Sequence, residues 1–212
     1  MSTEEAVQAL PRKERERLAH RREILEAAER VFARNGYHMA TVEEIAQEAE
    51  FAVGTLYNFF KSKEELYEQV LMGIVDEFMA DFRERVLTIE DPAEAIGATI
   101  ELRLRLFEKH RSFARVVIEA LPGGHVDHSM VLPKSCDAAY EEGMRAVTGI
   151  FERGVRSGAF IEVEPLYLTL ALAGIMSAFL AYWARCEPSE PLGDRVEKIK
   201  KLFLAWIRRD KC

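Results

Sequence analysis

The stretch from Thr41 to Lys63 constrains the fold of this chain more than any other, because two helix-start signals confine it. Thr41 with Glu44 and Ser62 with Glu65 have the spacing of a capping box. In a capping box a hydroxyl and a carboxylate satisfy amides that the first turn of a helix leaves free. The stretch therefore predicts two short helices joined by a tight turn, and a third helix that starts at its end.

The apolar residues of the stretch follow helical spacing. Leu56 and Phe60 share one face of the second short helix, and with Phe51 we expect them to be core. In the first short helix the apolar residues at i, i+3, i+4 and i+7 are Val42, Ile45, Ala46 and Ala49. The other faces of the second helix carry small, hydroxylated, amide or aromatic side chains, which are Ala52, Val53, Thr55, Tyr57, Asn58 and Phe59.

This outward set has no acidic member. From Phe51 to Lys63 the chain carries two lysines, Lys61 and Lys63, and no carboxylate. Such a surface can approach phosphate groups without charge repulsion.

The stretch resembles the DNA-binding motif of the tetracycline-repressor (TetR) family. The family pattern has a threonine, an Ile-Ala pair, a turn, then GTLYxxF and KxKxxL, and the matching residues here are Thr41, Ile45, Ala46, Gly54, Thr55, Leu56, Tyr57, Phe60, Lys61, Lys63 and Leu66. The resemblance implies a helix-turn-helix unit that binds double-stranded DNA.

The chain departs from the family pattern at Glu50, which stands where the family usually has the turn glycine. If that position requires a positive φ, a glutamate there costs about 1 kcal/mol of backbone strain. A negative φ would mean that the turn has been rebuilt.

The family motif assigns candidate DNA contacts. Thr41, Tyr57 and Lys63 are phosphate candidates, although Thr41 also has a role as a cap and Tyr57 as a packing residue. Base-edge candidates are Val53 and Thr55, which suit thymine methyl groups, and Asn58, which suits adenine or is solvated. Gly54 allows close backbone approach, and Ala52, Phe59 and Lys61 complete the predicted DNA-binding set.

Composition excludes a protein that coats nucleic acid through bulk charge. The 212 residues are 49% hydrophobic, ample for a core, and the formal net charge is −7. Three widely spaced cysteines, Cys136, Cys186 and Cys212, fit neither a disulfide framework nor a zinc cluster, and no secretory signal follows the N-terminus. These features predict a cytoplasmic protein.

The segment Leu166 to Ala184 has 19 residues without a charge, which approaches the length of a membrane span. Lysines and arginines are more frequent after it than before it, which would place the DNA-binding candidate outside a cell. We therefore expect a buried helix and no membrane. The alternative is a membrane-anchored or structural helical adaptor that uses residues 166–184.

The remaining periodicity predicts an all-α chain with an N-terminal three-helix helix-turn-helix domain and a C-terminal helical domain. We divide it into a disordered tail over residues 1–11, a DNA-binding domain over 12–63 and an effector and dimerisation domain over 64–212. The basic segment Arg12 to Arg22 is either the solvated start of a helix or an arm that touches DNA. The supporting helix that follows should bury Leu18, Leu25, Ala28, Val31 and Phe32 and end at Asn35 and Gly36.

The resemblance also implies a homodimer, because in the family the last two helices pair with those of a second copy. A dimer would read a pseudo-palindromic operator with half-sites about one helical turn apart. The predicted dimer interface consists of Leu172, Ile175, Phe179, Val196, Ile199, Phe203 and Trp206.

The family further implies a small-molecule effector that binds between the C-terminal helices. An apolar lining would favour a hydrophobic or amphipathic ligand. By linkage, such a ligand releases a repressor from DNA, and the helix that starts at Ser62 connects the two domains. Ordinary core is the other interpretation of the lining candidates, which are Phe78, Phe82, Leu106, Phe107, Phe113, Met144, Phe151 and Met176.

No catalytic or metal-binding motif is found in the sequence. His125, Asp127 and His128 lie in a glycine-rich segment with fewer ligands than a metal site needs, so a loop is the simpler interpretation and a metal or effector contact is the alternative. We expect no cofactor and no enzyme activity. An enzyme that uses the C-terminal cavity is the third possibility, and turnover of a bound ligand would reveal it.

Overall fold

The computed structural model describes residues 8–119, 134–186 and 190–208. Within these ranges the chain is helical, as predicted, and an isolated antiparallel bridge joins Phe160 to Arg208. The helices are α1 Arg12–Met39, α2 Val42–Glu48, α3 Val53–Tyr57, α4 Lys63–Arg85, α5 Pro92–Lys109, α6 Arg111–Glu119, α7 Asp137–Arg156, α8 Pro165–Arg185 and α9 Leu192–Ile207, with a short 3₁₀ turn at Lys134–Cys136 before α7.

The chain packs as two compact units, Met1–Leu71 and Met72–Cys212, which we call unit 1 and unit 2. The boundary between them lies within α4. The N-terminal helix-turn-helix unit and the helical C-terminal part of the prediction are therefore both present.

Unit 1 is built around the inward face of α1. Ile24, Ala28 and Val31 recur at i, i+4 and i+7 and are fully buried. Leu25 lies one residue off this stripe and is half-buried, and Leu18 is 41% exposed, so both were wrongly predicted as core. Gly36 has φ 75 and ψ 164, which ends the regular part of α1 where the sequence predicted an end. The stripe packs with buried Ile45, Ala46, Leu56, Phe60, Leu66 and Val70.

Unit 2 has a core that α5, α7, α8 and α9 share. Helix α5 starts at a side-chain cap, because the Asp91 side chain accepts from the amides of Ala93 and Glu94 at 2.7 and 2.9 Å. The largest fully buried side chains of this core are Phe82, Phe151, Phe160, Phe203, Ile96 and Ile100.

A glycine motif ends α7 and positions α8. The amide of Gly158, at φ 73, donates to Val155 O at 3.1 Å, and the amide of Ala159 donates to Gly154 O at 2.9 Å. These two bonds make a Schellman motif. A Cβ on Gly154 would lie 2.0 Å from the Phe160 ring, so that ring packs where only glycine fits. The next amide, Ile161 N, donates to Ile207 O at 2.8 Å and fixes the end of α9.

A buried arginine joins three helices of unit 2. Arg195 on α9 is 4% exposed, lies with its guanidinium 4.8 Å from the centre of the Trp183 ring, and places Nη2 2.8 Å from Glu108 Oε1. Its Nε and Nη1 find no hydrogen-bond partner in the described chain. The contact therefore positions α5, α8 and α9 without satisfying every donor that it buries.

The residues predicted for a dimer interface lie mostly inside unit 2. Leu172, Val196, Ile199 and Phe203 are at most 4% exposed and belong to the core of one chain. Ile175 and Phe179 are half-buried, and Trp206 is 58% exposed. A surface for a second copy therefore cannot consist of the four buried residues, because the intrachain core already covers them. The large apolar side chains that α8 and α9 expose are Leu166, Tyr167, Leu170, Tyr182, Leu202 and Trp206.

Among the described helices, α8 is long and apolar enough, by length and composition, to cross a membrane. Its own chain buries 33% of the most apolar window. The buried positions include Leu168, Leu172, Met176 and Trp183, which pack into the core of unit 2. A core helix of a soluble protein meets the same length and composition test.

Candidate nucleic-acid interface

The capping box predicted at Thr41 is present and fixes the start of α2. Thr41 Oγ1 accepts from the amide of Glu44 at 3.2 Å, and a Glu44 carboxylate oxygen accepts from the amide of Thr41 at 3.0 Å. The bond from the Thr41 amide is the largest cause that holds the pKa of Glu44 below its ordinary 4.5. Thr41 is exposed and also has a structural role at this helix start.

The turn between α2 and α3 keeps the left-handed conformation. Glu50 has φ 60, its amide donates to Gln47 O at 3.2 Å, and the next amide, of Phe51, donates to Ala46 O at 2.9 Å. These bonds make a Schellman motif with a glutamate at its left-handed position. The positive φ that the family glycine usually provides is thus retained here with a side chain present, at a cost of about 1 kcal/mol.

Two arginines of α1 hold the end of α2. Glu48 lies with Oε1 2.8 Å from Arg30 Nε and with Oε2 3.3 Å from Arg34 Nη1. The hydrogen bond from Arg30 is the largest cause that keeps the pKa of Glu48 below 4.5. These contacts were missed because partners 14 and 18 residues apart leave no local pattern in the sequence.

Helix α3 presents the predicted face. Leu56 and Phe60 are 1% and 2% exposed and anchor it, as expected, whereas Phe51 is half-buried. The phenol of Tyr57 is 52% exposed. Of the other predicted DNA-binding residues, Ala52, Gly54, Asn58 and Lys61 are exposed, and Val53, Thr55, Phe59 and Lys63 are half-buried. A Cβ on Gly54 would meet no atom within 4 Å, so the backbone there is open to a ligand.

Lys63 is engaged within unit 1. Its Nζ donates to His38 O at 3.3 Å and to Ala40 O at 3.0 Å, and it lies 4.9 Å from the centre of the Tyr37 ring. These bonds satisfy carbonyl groups around the end of α1. Lys63 therefore has a structural role that the motif did not indicate, and Lys61 is the more exposed lysine at this face.

The start of α4 differs in detail from the predicted capping box. The amide of Glu65 donates to Ser62 Oγ at 3.2 Å, as expected. The Glu65 carboxylate instead accepts from the amide of Lys61 at 2.6 Å, one residue before the cap. This bond holds the backbone of the exposed Lys61 next to α3.

Two residues of the basic segment touch both flanks of α3. The His20 ring lies 5.0 Å from the Phe51 ring, just before α3, and the Arg21 guanidinium lies 5.2 Å from the centre of the Phe60 ring, just after it. Arg21 also donates to Gln69 on α4. These contacts connect the first half of α1 to the helix-turn-helix motif, and sequence periodicity gave no sign of them.

The residues predicted to line an effector pocket lie in or near the core of unit 2. Phe82, Phe107, Phe151 and Met176 belong to one buried cluster, and Phe78 stacks on Phe82 at 5.7 Å. Phe113 is buried, and Leu106 and Met144 are half-buried. Arg103 lies one turn before Phe107 on α5 and is half-buried. Desolvation lowers the pKa of its guanidinium to about 10, and the electrostatic interaction with Tyr140 acts in the opposite direction. Arg103 therefore stays protonated at neutral pH next to this apolar cluster.

Among the described residues there is no group of three or more His, Cys, Asp or Glu placed to hold a metal ion. His125, Asp127 and His128 lie outside the described residues, as do Cys212 and most of the predicted N-terminal tail.

Comparisons with known proteins agree with this geometry. Residues 24–70 match the family model of bacterial regulatory proteins of the tetR family. The chain is 35% identical over 100 residues to the HTH-type transcriptional repressor KstR2 of Mycobacterium tuberculosis, and 40% identical over 90 residues to the fatty acid metabolism regulator protein of Bacillus subtilis. These matches cover 47% and 42% of this chain, and 49% and 43% of the relatives. The match thus spans about half the length of each relative.

The fold extends further than these matches. The structure superposes on the transcriptional regulator FadR from Bacillus subtilis, solved in complex with stearoyl-CoA, with a TM-score of 0.73 at 21% identity. The superposition covers 86% of this chain and 97% of FadR. At this identity the likeness concerns the fold, and it includes the helices of unit 2. The chain is therefore similar to bacterial regulatory proteins of the tetR family over residues 24–70, and its helical C-terminal part has a fold like that of FadR.

Proposed function

We propose that this protein is a ligand-responsive transcriptional regulator that binds an operator and is released from it by an effector. The observation that carries the proposal is the face of α3. It exposes Gly54, Tyr57 and Asn58 with a lysine beside them, on a helix anchored by buried Leu56. No acidic side chain interrupts the sequence of this face.

The residues of this face suit distinct roles in DNA recognition. Asn58 is exposed and offers the amide that pairs with adenine, whereas Val53 and Thr55 offer apolar contact to thymine methyl groups at the edge of the face. Tyr57 and the exposed Lys61 suit phosphate groups, which fix the orientation of a protein on the duplex. The intrachain bonds of Lys63 make Lys61 the stronger candidate for an ionic contact.

A homodimer would double this recognition surface. Helix α8 exposes Leu166, Tyr167, Leu170 and Tyr182, and α9 exposes Leu202 and Trp206. A monomer rarely leaves so many large apolar side chains in water, and a second copy would cover the same set by two-fold symmetry. Two recognition helices then read a pseudo-palindromic operator.

For the effector we propose an acyl-CoA thioester. Its acyl chain suits the Phe and Met side chains within unit 2, and its anionic part suits a cation such as Arg103 at the margin of that cluster. The relatives support this class, since one is a fatty acid metabolism regulator and the superposed FadR holds stearoyl-CoA. A ligand that binds better to the DNA-free conformation shifts the population of the protein away from the operator. The protein would then repress transcription until the ligand releases it from DNA.

We also propose that the protein acts in the cytoplasm and has no enzyme activity. The rival proposal is a membrane-anchored adaptor, which the length of α8 would permit. Recovery of the full chain from a lysate without detergent as a dimer supports the regulator, and recovery only in the membrane fraction refutes it.

The test starts by selecting DNA from a random-sequence duplex pool. We expect enrichment of a two-fold symmetric sequence, and affinity is then measured by fluorescence anisotropy for this duplex and for a mixed-sequence duplex of equal length. Asn58→Ala should lower the affinity for the selected duplex by about ten-fold and leave the mixed-sequence affinity unchanged, because a base contact is lost. Tyr57→Phe should lower both by the same factor, because the phosphate contact carries no sequence information.

The same assay tests the effector. Palmitoyl-CoA should dissociate the wild-type protein from the selected duplex, and free coenzyme A is the matched control without the acyl chain. Failure to enrich any sequence refutes DNA recognition. Enrichment without release by acyl-CoA thioesters of any chain length refutes the effector class alone.

A further inference from the structure

The first three turns of α1 extend beyond the core of unit 1. None of the residues 12–23 is buried, and the first buried position of the helix is Ile24. A surface helix is usually stabilised by the burial of one of its faces. Residues 12–18 are exposed on every side of the helix, so a partner outside the chain can reach them.

One face of this extension is cationic. Lys13, Arg17 and His20 lie at i, i+4 and i+7, and Ile24 follows at i+11, so they share one stripe of the helix. In the second half of α1 this stripe faces the core. In the first half it continues past the core with two cations in place of apolar residues. Glu14 and Glu16 lie at the two edges of the stripe rather than on it.

The arginines of these turns that lie off the stripe have partners within the chain. Arg12 pairs with Glu16 at 2.7 Å, Arg22 pairs with Glu26 at 3.7 Å, and Arg15 donates to Gln8 O at 3.0 Å. In the described part of the chain, Lys13 and Arg17 pair with no carboxylate. Their positive charge is therefore available to an anionic partner.

The stripe begins next to the recognition helix. His20, on the stripe, contacts Phe51 shortly before α3, and its neighbour Arg21, which lies off the stripe, contacts Phe60 shortly after α3. At 1.5 Å per residue, Arg17 and Lys13 are displaced along α1 by about 5 and about 10 Å from His20. Both lie within unit 1, so this placement does not depend on unit 2.

We propose that Lys13 and Arg17 bind DNA phosphates beside the base pairs that α3 reads, and so lengthen the contact surface of each chain. This inference rests on the proposed DNA-binding function. Charge complementarity favours the DNA backbone as the partner, because the stripe starts at His20, which contacts Phe51 just before the recognition helix. An anionic membrane surface would meet the same charges without involving α3.

The experiment measures DNA affinity as a function of salt concentration for full-length variants. Lys13→Ala with Arg17→Ala removes the two cations of the stripe. The matched control is Arg12→Ala with Arg22→Ala, which removes the same charge from positions of the same helix that lie off the stripe. Alanine is the strongest helix former, so neither pair should disturb α1, and far-UV circular dichroism verifies this.

For the stripe variant, we expect the slope of log affinity against log salt to become shallower by about 1.8 per chain, or 0.9 for each lost phosphate contact. The change should be the same on the selected duplex and on a mixed-sequence duplex, since phosphate contacts ignore sequence. The control pair should change the slope by less than half as much, because its cations are already paired.

Three outcomes overturn the inference. The first is an unchanged slope for the stripe variant on DNA that the wild-type protein still distinguishes by sequence. The second is an equal change in both pairs, which would show an effect of net charge alone. The third is an unchanged DNA slope together with lost binding to anionic phosphatidylglycerol vesicles, which would assign the stripe to a membrane. If the wild-type protein shows no sequence preference at all, the proposed function itself fails, and that result is distinct from these.

Discussion

Helices α2 and α7 end in the same hydrogen-bonded motif but place different residues at its left-handed position. In unit 1 that residue is Glu50, with φ 60, and in unit 2 it is Gly158, with φ 73. The two pairs of bonds are nearly equal in length, 3.2 and 2.9 Å against 3.1 and 2.9 Å. The backbone geometry is therefore the same whether or not a side chain adds strain.

The comparison shows what enforces each turn. Gly158 adopts its conformation without cost, whereas Glu50 is held there by its surroundings, which include the buried Ala46 and the ion pairs of Glu48. In unit 1 the turn fixes the direction of α3, so its geometry has to be kept even at a cost in stability. The glycine requirement of unit 2 lies elsewhere, at Gly154.

Gly154→Ala should have the largest effect on stability. The new Cβ would lie 2.0 Å from the Phe160 ring, which is 1% exposed and packs on Phe151, so the ring has no free space to enter. Overpacking of this kind costs about 3 kcal/mol, measured as the loss in unfolding free energy in urea. Gly149→Ala is the control on the same helix, since a Cβ there meets nothing within 4 Å and should stabilise slightly. Equal effects of the two changes would contradict the packing argument.

Gly158→Glu places the residue of one turn in the other. A Cβ at Gly158 meets no atom within 4 Å, so the expected loss of about 1 kcal/mol comes from the left-handed backbone alone. Gly158→Asn should lose less, because asparagine tolerates this conformation better. A loss as large as that of Gly154→Ala would show that the turn in unit 2 is less robust than that of unit 1.

Glu50→Gly should have the smallest effect, and its sign is opposite. Relief of backbone strain is partly offset by the greater freedom of glycine in the unfolded chain, which leaves a gain of about 0.5 kcal/mol in unfolding free energy. Glu50→Ala is the control, since it removes the carboxylate but keeps the strain and should give no such gain. A stabilisation by alanine equal to that by glycine would assign the effect to charge.

Local signals in the sequence predicted the fold of unit 1 in detail. The capping box at Thr41 forms, because it depends on residues three positions apart. Leu56 and Phe60 are buried as their helical spacing indicated. The family pattern also located the turn, and of the two conformations that the sequence left open for Glu50 the structure has the positive φ.

Local sequence patterns did not predict contacts between distant segments of the chain. The hydrogen bonds of Lys63 to His38 and Ala40 span 25 and 23 residues. The ion pair of Glu48 with Arg30 joins two different helices, and the periodicity of one helix carries no information about the other. In unit 2, an apolar stripe on α9 was assigned to a dimer interface. Periodicity shows that Val196, Ile199 and Phe203 share a face of the helix, but it does not show what covers that face. In the structure, other helices of the same chain cover it.

The bonds of Lys63 have a consequence for the order in which the chain folds. They close a loop that contains the whole of α2 and α3, helices of 7 and 5 residues that are too short to persist alone in water. Closing that loop requires both the end of α1 and the start of α4. We therefore expect that, during synthesis, the recognition surface forms only after the beginning of α4 has left the ribosome.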